Sequence, residues 1–262
     1  MKLEHYCGLL PNEKPLDNLV SDGGYTSILR EIVCVGDSLS SGEFEHIDEN
    51  GNYTFHDKYE YSWGQFIARS AGVKVYNFSR GGMSAKEYME TFADANNFFN
   101  PEIIPNAYII ALGLNDIFML KQNPGSILDI DKDNDTFASW YVKIVRKYKE
   151  INPNAKFFFV TTPKEATDND AITEKKLAHQ KFLYDLTKEF NNSYVIDLYE
   201  YSPVIDQEFK DKFYLEGHMN PAGYRFAGVM ISSYIDYIIR SDFKAFTQVG
   251  FIGTKYYKKE LE

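Results

Sequence analysis

The chain has 262 residues, of which 44% are hydrophobic and 16% aromatic, enough to bury a large core in one sizeable α/β domain. Its formal net charge of −10 argues against nucleic acid or an anionic membrane as a partner, because both bind basic surfaces, and favours a small molecule. No apolar stretch is long enough to span a bilayer and no apolar signal region follows the first five residues, so we expect a cytoplasmic protein.

Residues 1–30 show no regular pattern and are predicted to form an amino-terminal arm. The first predicted strand follows at 32–35 and contains Cys34, which we expect to be a core residue. Cys7 lies in the arm, so the two cysteines are an unpromising disulfide pair.

The first strand leads into Gly36-Asp37-Ser38-Leu39-Ser40. A buried strand with this ending can present the Ser38 hydroxyl at the carboxyl edge of a sheet, where open α/β sheets bind ligands. A serine hydroxyl is a poor nucleophile, so catalysis also requires a base and donors that hold an oxyanion. The alternative is an ordinary turn, since Asp and Ser also cap helices and close turns.

Residues 42–61 are predicted to form a flap or hairpin, because aromatic residues alternate on both sides of the turn-like segment 49–52. Its aromatic residues could contact a sugar ring or an acyl chain, although we expect most of them to serve in packing. They are Phe44, Tyr53, Phe55, Tyr59, Tyr61 and Trp63.

The rest of the chain alternates strands and helices. Apolar runs predict further strands at 73–76, 107–112, 156–161 and 194–198, and helical periodicity appears at 63–71, 84–95, 137–148, 178–190 and 221–238. This alternation predicts an α/β fold with a mainly parallel five-stranded sheet, covered on both faces by helices. The domain spans 31–240, and 241–262 is expected to be a tail that docks on the core.

Two loops after strands carry candidate donors. In 77–84 the paired glycines Gly81 and Gly82 allow backbone N–H groups to approach a ligand, and Ser84 can cap the next helix. This loop lacks the Walker and dinucleotide patterns, so a simple strand-to-helix turn is the alternative. Asn115 follows the third strand and brings a side-chain amide to the edge that carries Ser38; the alternative is an Asn-Asp turn.

His218 is the best proton acceptor in the sequence, because it lies in the loop just before the last helix. The other four histidines are expected to be surface or packing residues. They are His5 in the arm, His46 and His56 in the flap, and His179 on a helix.

These loops, in this order, resemble the SGNH or GDSL-type esterase and acyl-hydrolase family over residues 31–240. The resemblance implies a flavodoxin-like three-layer α/β/α sandwich that needs neither a metal nor an organic cofactor. It further implies that Ser38 attacks an ester carbonyl while His218 takes its proton. Ser38 N–H, Gly82 N–H and the Asn115 side chain would form the oxyanion hole. Asp37, Gly113 and Asp116 would support these loops.

The sequence departs from the family at Leu215, where the family has the aspartate that orients the histidine. Three explanations are open: a Ser-His dyad with a backbone carbonyl on the imidazole, a carboxylate from Glu216 or elsewhere, or a non-catalytic carbohydrate-binding protein. Because Ser38, Gly82, Asn115 and His218 are all present, we favour a working enzyme.

Other enzyme classes fit less well. Ser40 replaces the second glycine of the Gly-x-Ser-x-Gly elbow of α/β-hydrolases. The acidic run 129–135 lacks the glycine and glutamate of a calcium loop and is predicted to be a solvated loop, with Asp135 or Thr136 capping the next helix. We expect a small ester substrate, foremost an O-acetyl group on a carbohydrate, with a lipid or thioester acyl-hydrolase as the alternative.

Overall fold

The computed structural model describes residue 3 and residues 7–258. The predictions for residues 1–2, 4–6 and 259–262, which include His5 and the ends of the arm and tail, lie outside the described residues. No described helix is long and apolar enough to cross a membrane.

The described residues form nine strands and eight helices of the α or mixed α/π type. The strands are β1 Glu31–Gly36, β2 Glu43–Ile47, β3 Tyr53–Asp57, β4 Lys74–Ser79, β5 Ala107–Ala111, β6 Lys156–Val160, β7 Ser193–Ile196, β8 Tyr214–Leu215 and β9 His218–Met219. The helices are α1 Ser38–Ser41, α2 Trp63–Ala71, α3 (Ala85–Glu87, a π-helical turn Tyr88–Phe92, and Ala93–Ala95), α4 Phe137–Ile151, α5 Asp170–Glu189, α6 Leu198–Tyr201, α7 Gln207–Phe213 and α8 Pro221–Ser241.

Five strands pair in parallel in the order β4-β1-β5-β6-β7, which confirms the predicted sheet. Alternate residues of β1 face opposite layers: Ile32 and Cys34 pack with α2 and α8, whereas Val33 and Val35 pack with α3, α4 and α5. The strand is apolar throughout because both of its faces are buried. The chain is therefore a three-layer α/β/α sandwich.

Two strand ends differ from the prediction. β4 continues to Ser79 because Phe78 is buried and pairs in register with Val35, so the glycine loop begins only at Arg80. β7 ends at Ile196 because the Asp197 side chain accepts a hydrogen bond from the N–H of Glu200 and starts α6. Periodicity did not reveal α6, α7 or the β8-β9 pair, because these elements are too short.

The segments before and after the sheet pack on it. Arg240 of α8 donates to Glu13 of the arm and to Asp236, while Asn106 Nδ2 donates to the backbone oxygen of Val249 at 2.7 Å. Thr136 caps α4 by accepting from the N–H of Ser139, one of the two caps that the sequence predicted.

Candidate active site

Ser38 stands where β1 ends at the carboxyl edge of the sheet. A Cβ atom at Gly36 would overlap Ser40 Oγ, so glycine lets the chain turn directly into α1. Asp37 caps α1 by accepting from Leu39 N–H at 3.1 Å. Ser38 is the first residue of this helical turn, so its own N–H lacks an intrahelical acceptor. Both the hydroxyl and the N–H of Ser38 are thus placed at the edge of the sheet.

The glycine loop and the Asn115 loop meet beside this serine edge. Gly82 adopts a left-handed conformation with φ of 71°, and its N–H has no acceptor among the described residues. Asn115 Nδ2 donates to Met83 O at 3.2 Å, which leaves its second amide hydrogen for a ligand. Asp116 Oδ1 accepts from Ala85 N–H at 2.8 Å and fastens the two loops together. Three separate donors therefore lie on the loops that follow three neighbouring strands, β4, β1 and β5.

Two buried carboxyls lie beneath these loops. Burial raises the pKa of Asp37 to about 7, opposed by the hydrogen bond from Leu39 N–H and reinforced by nearby Asp116. Burial also raises the pKa of Asp116 to about 6, against the hydrogen bond from Ala85 N–H. Among the described residues no ion pair to either carboxyl offsets the burial, so both hold a proton at higher pH than an ordinary aspartate.

Glu216 lies at the tip of the β8-β9 pair, with a positive φ of 50° and an exposed side chain. It makes no hydrogen bond to His218 in the described part of the chain. Leu215, at the family's aspartate position, is 48% exposed. The structure therefore does not bring either residue onto the imidazole.

The carboxylate on His218 comes instead from Glu45 in β2. Glu45 Oε2 lies 3.0 Å from His218 Nδ1 and accepts from Gly217 N–H at 2.9 Å. A Cβ atom on Gly217 would overlap Glu45 Oε2, so glycine makes this approach possible. The Glu45 side chain is only 11% exposed. A partly desolvated carboxylate thus holds the Nδ1 side of the imidazole.

The β2-β3 hairpin positions the Glu45 carboxylate. Side chains two residues apart on a strand share a face, so Glu43 and Glu45 both project toward His218. Phe55 pairs with Glu45 across the hairpin, and its ring meets the His218 ring edge-on at 5.9 Å. The predicted flap is therefore a hairpin that packs over the histidine.

Glu43 contacts the other nitrogen of the ring: its Oε1 lies 3.2 Å from His218 Nε2. Burial raises the pKa of Glu43, His218 lowers it, and Asp57 and Glu45 raise it further. Within the described residues no hydrogen bond joins Ser38 Oγ to Nε2, because Nε2 faces Glu43.

Tyr224 of α8 connects the Ser38 segment to the hairpin. Its hydroxyl lies 2.6 Å from Glu43 O and 3.4 Å from Ser38 O. Sequence reasoning missed Glu43, Glu45 and Tyr224. The signal for the two carboxylates was present in their spacing, which puts both on one face of a strand, but nothing in the sequence says which face meets the histidine.

The remaining described histidines are packing or surface residues, as predicted. His179 is 1% exposed, lies against Gly113 and Phe137, and has its pKa lowered to about 4 by burial. His46 and His56 lie on exposed positions of the hairpin.

An apolar cavity of about 90 Å³ lies behind the site. Leu39, Leu114 and Met219 line it, and each is the chain neighbour of a candidate site residue: Ser38, Asn115 and His218 respectively. The cavity is smaller than the ~150 Å³ void that holds benzene in an engineered core, so it suits a few carbon atoms.

Comparison with known families decides the class of the protein. The GDSL-like Lipase/Acylhydrolase family model matches residues 34–226, which include Ser38, Gly82, Asn115 and His218. The chain belongs to this family. This member of the GDSL-like family is thus a serine hydrolase that acts on ester bonds. A search of curated protein sequences found no match.

Solved structures share the fold of this GDSL-like hydrolase. A family two carbohydrate esterase from Clostridium thermocellum in complex with cellohexaose has a TM-score of 0.58 at 13% identity, covering 88% of this chain and 67% of that chain. A CE2 carbohydrate esterase with a carbohydrate binding domain from Corynascus thermopiles (Myceliophthora fergusii) has a TM-score of 0.56 at 16% identity, covering 86% and 68%. A Clostridium thermocellum family 3 carbohydrate esterase has a TM-score of 0.51 at 13% identity, covering 80% and 97%. At these identities the likeness shows the fold alone.

Proposed function

We propose that the protein removes O-acetyl groups from carbohydrates through an acyl-enzyme, with Ser38 as nucleophile and His218 as base. The contact of His218 Nδ1 with Glu45 carries this proposal, because it supplies the carboxylate that position 215 lacks. Glu45 would take the role for which the sequence left open a backbone carbonyl, Glu216 or a carboxylate from elsewhere. It orients the imidazole and stabilises the imidazolium as it forms.

The reaction has two balanced halves. Nε2 accepts the Ser38 proton while Oγ forms a bond to the ester carbonyl carbon, and the carbonyl electrons move onto oxygen. The tetrahedral oxyanion collapses, the bond to the alcohol oxygen breaks, and Nε2–H protonates the departing alcohol. Water then attacks the acyl-enzyme by the same proton path and releases the acid and Ser38.

The developing oxyanion would be held by the N–H groups of Ser38 and Gly82 and by the free amide hydrogen of Asn115. These groups are supported by the cap at Asp37, the turn at Gly113 and the Asp116 contact with Ala85 N–H. Such donors stabilise negative charge that exists only in the transition state and in the tetrahedral intermediate, so they raise the rate of the chemical step.

A carbohydrate substrate is supported by two lines of argument. The structural neighbours named above include enzymes described as carbohydrate esterases, one of them bound to cellohexaose. Phe55 and Tyr53 of the hairpin are more than half exposed, and Phe55 lies next to His218. Flat aromatic surface beside a polar site suits a sugar ring.

A lipid or thioester acyl-hydrolase is the second candidate, and the apolar cavity favours it. Leu39, Leu114 and Met219 could surround an acyl chain of a few carbons. Chain-length profiling with p-nitrophenyl esters separates the candidates: a preference for eight or more carbons would count against the acetyl-sugar esterase.

The direct test is acetate release from a panel of acetylated sugars, with Ser38→Ala as the matched control. We expect release by the native protein and a loss on the order of 10⁴-fold or more in the variant. An organophosphonate probe should add one mass increment at Ser38 and none in Ser38→Ala. Glycan binding without turnover or labelling would contradict the proposal in favour of a binding protein.

A further inference from the structure

The second hairpin carboxylate, Glu43, occupies a place that the reaction requires. Its Oε1 lies 3.2 Å from His218 Nε2, and a Cβ atom on Gly81 would overlap its Oε2. The carboxylate therefore fills the gap between the catalytic base and the glycine loop. Its side chain is 12% exposed, so water reaches it poorly.

This gap is where the alcohol part of an ester must lie. The carbonyl oxygen points at the donors of Ser38, Gly82 and Asn115, whereas the departing oxygen must receive its proton from His218 Nε2. A group at hydrogen-bond distance from Nε2 consequently lies beside the atoms attached to the departing oxygen. Glu43 is such a group.

Glu43 loses its partner when the reaction begins. Among the described residues, His218 is the only basic side chain within 4.0 Å of the Glu43 carboxylate. Once Nε2 turns to Ser38 Oγ and the departing oxygen, a largely buried carboxylate is left without that donor. An unpaired buried charge is costly, so a substrate that brings its own donor is favoured.

We propose that Glu43 is a specificity-determining residue, which accepts a hydrogen bond from a hydroxyl group adjacent to the ester on the alcohol part of the substrate. The substrate class is a partially acylated polyol, with a free hydroxyl vicinal to the ester. Alcohols that are apolar or anionic at that position are disfavoured. The inference rests on the proposed esterase function and identifies the vicinal hydroxyl as the substrate group that the site recognises.

The experiment compares two acetates that differ in one group, 2-hydroxyethyl acetate and 2-methoxyethyl acetate. The measured quantity is the ratio of their kcat/KM values, which cancels any general loss of activity or folded protein. We expect the native protein to prefer the hydroxyl ester by roughly 10- to 100-fold, since the methyl ether cannot donate. In Glu43→Ala the ratio should fall close to one.

Two further variants sharpen the comparison. Glu43→Gln keeps an acceptor oxygen without the charge and should retain part of the preference. Glu49→Ala removes an exposed carboxylate from the turn of the same hairpin and should retain all of it. Acetylcholine serves as a third substrate, because its ammonium carries charge but no hydrogen to donate.

The outcomes are distinct. A native ratio near one, or an unchanged ratio in Glu43→Ala, would overturn the role of Glu43 while leaving the esterase intact. Preference for acetylcholine over the hydroxyl ester would overturn the role of Glu43 as a hydrogen-bond acceptor in favour of simple charge attraction. Failure of the native protein to hydrolyse any ester would overturn the proposed function and this inference with it.

Discussion

The carboxyl edge of the sheet and the β2-β3 hairpin contribute to one site in different ways. The edge supplies Ser38, Gly82 and Asn115, whose positions follow from strand ends and helix starts in the core. The hairpin supplies Glu43 and Glu45, which contact the two nitrogens of His218. The comparison teaches that the position of the proposed nucleophile follows from the central sheet, whereas the carboxylates around the proposed base come from a segment outside that sheet.

The largest effect should come from the hairpin carboxylate on Nδ1. Glu45→Ala removes the group that orients His218, so we expect kcat to fall by ~10²- to 10⁴-fold. Thermal unfolding should change little, because the hairpin lies outside the main core. Glu216→Ala is the matched control and should leave kcat nearly unchanged; equal losses in both variants would contradict the assignment.

The sheet edge should show a somewhat smaller effect at its oxyanion donor. Asn115→Ala deletes one donor, for which ~10²- to 10³-fold in kcat is typical, with little change in KM. Steady-state kinetics on p-nitrophenyl acetate measure this. A change in KM alone would mean that Asn115 binds the ground state instead.

The pH profile separates the two carboxylates of the hairpin. Nε2 must be free of its proton to accept from Ser38, and the Glu43 carboxylate beside it, whose pKa His218 lowers, favours keeping that proton. Glu43→Ala removes this negative charge. The acid limb of kcat/KM should therefore move to lower pH, by about one pH unit.

That shift is measured on an activated ester over a range of buffers, with Glu49→Ala as the control that keeps the native profile. An acid limb that stays in place, or moves to higher pH, would mean that Glu43 does not hold the proton.

The last effect concerns the stability of the sheet edge and not its activity. The pKa of Asp37 is raised from 3.8 to about 7 in the folded chain. Between these values the unfolded chain releases the proton first, so the free energy of unfolding falls as pH rises from about 4 to about 7. Asp37→Asn keeps a capping oxygen and cannot ionise. At pH 8 the free energy of unfolding of Asp37→Asn should exceed that of the native protein by roughly 4 kcal/mol, because each pKa unit of the shift corresponds to about 1.4 kcal/mol.

Urea unfolding at pH 4 and pH 8 checks this, with the exposed Asp133→Asn as the control. If Asp37→Asn and the native protein differ in their free energy of unfolding by the same amount at both pH values, Asp37 does not cause the loss of stability with rising pH.

Much of the sheet edge could be predicted from the sequence because its signals are local. The apolar run of β1 followed by Gly36 and Ser38, the glycine pair at 81–82 and Asn115 each follow a strand, and parallel strands bring their carboxyl ends together. The same logic placed His218 before α8. The end of β4 was misplaced because Asn77 and Ser79 look like loop residues, and only the pairing of Phe78 with Val35 reveals the strand.

The third member of the site could not be predicted in the same way. Glu45 lies 173 residues before His218 in the sequence. The pattern of hydrophobic residues predicts the strands of its hairpin but not the orientation of the hairpin relative to His218. Glu216 was a candidate because it is the carboxylate next to Leu215 in the sequence, but it lies at an exposed turn with positive φ. The hairpin's strands were predictable, but its orientation depends on packing of Phe44 against Tyr224 and of Phe55 against His218.

The most direct test of the central claim is proton NMR of the imidazole N–H groups in protein labelled with ¹⁵N-histidine. We predict a downfield Nδ1–H resonance from His218, assigned by its loss in His218→Asn, that disappears in Glu45→Ala and persists in Glu216→Ala. A resonance that survives in Glu45→Ala and disappears in Glu216→Ala would contradict the account.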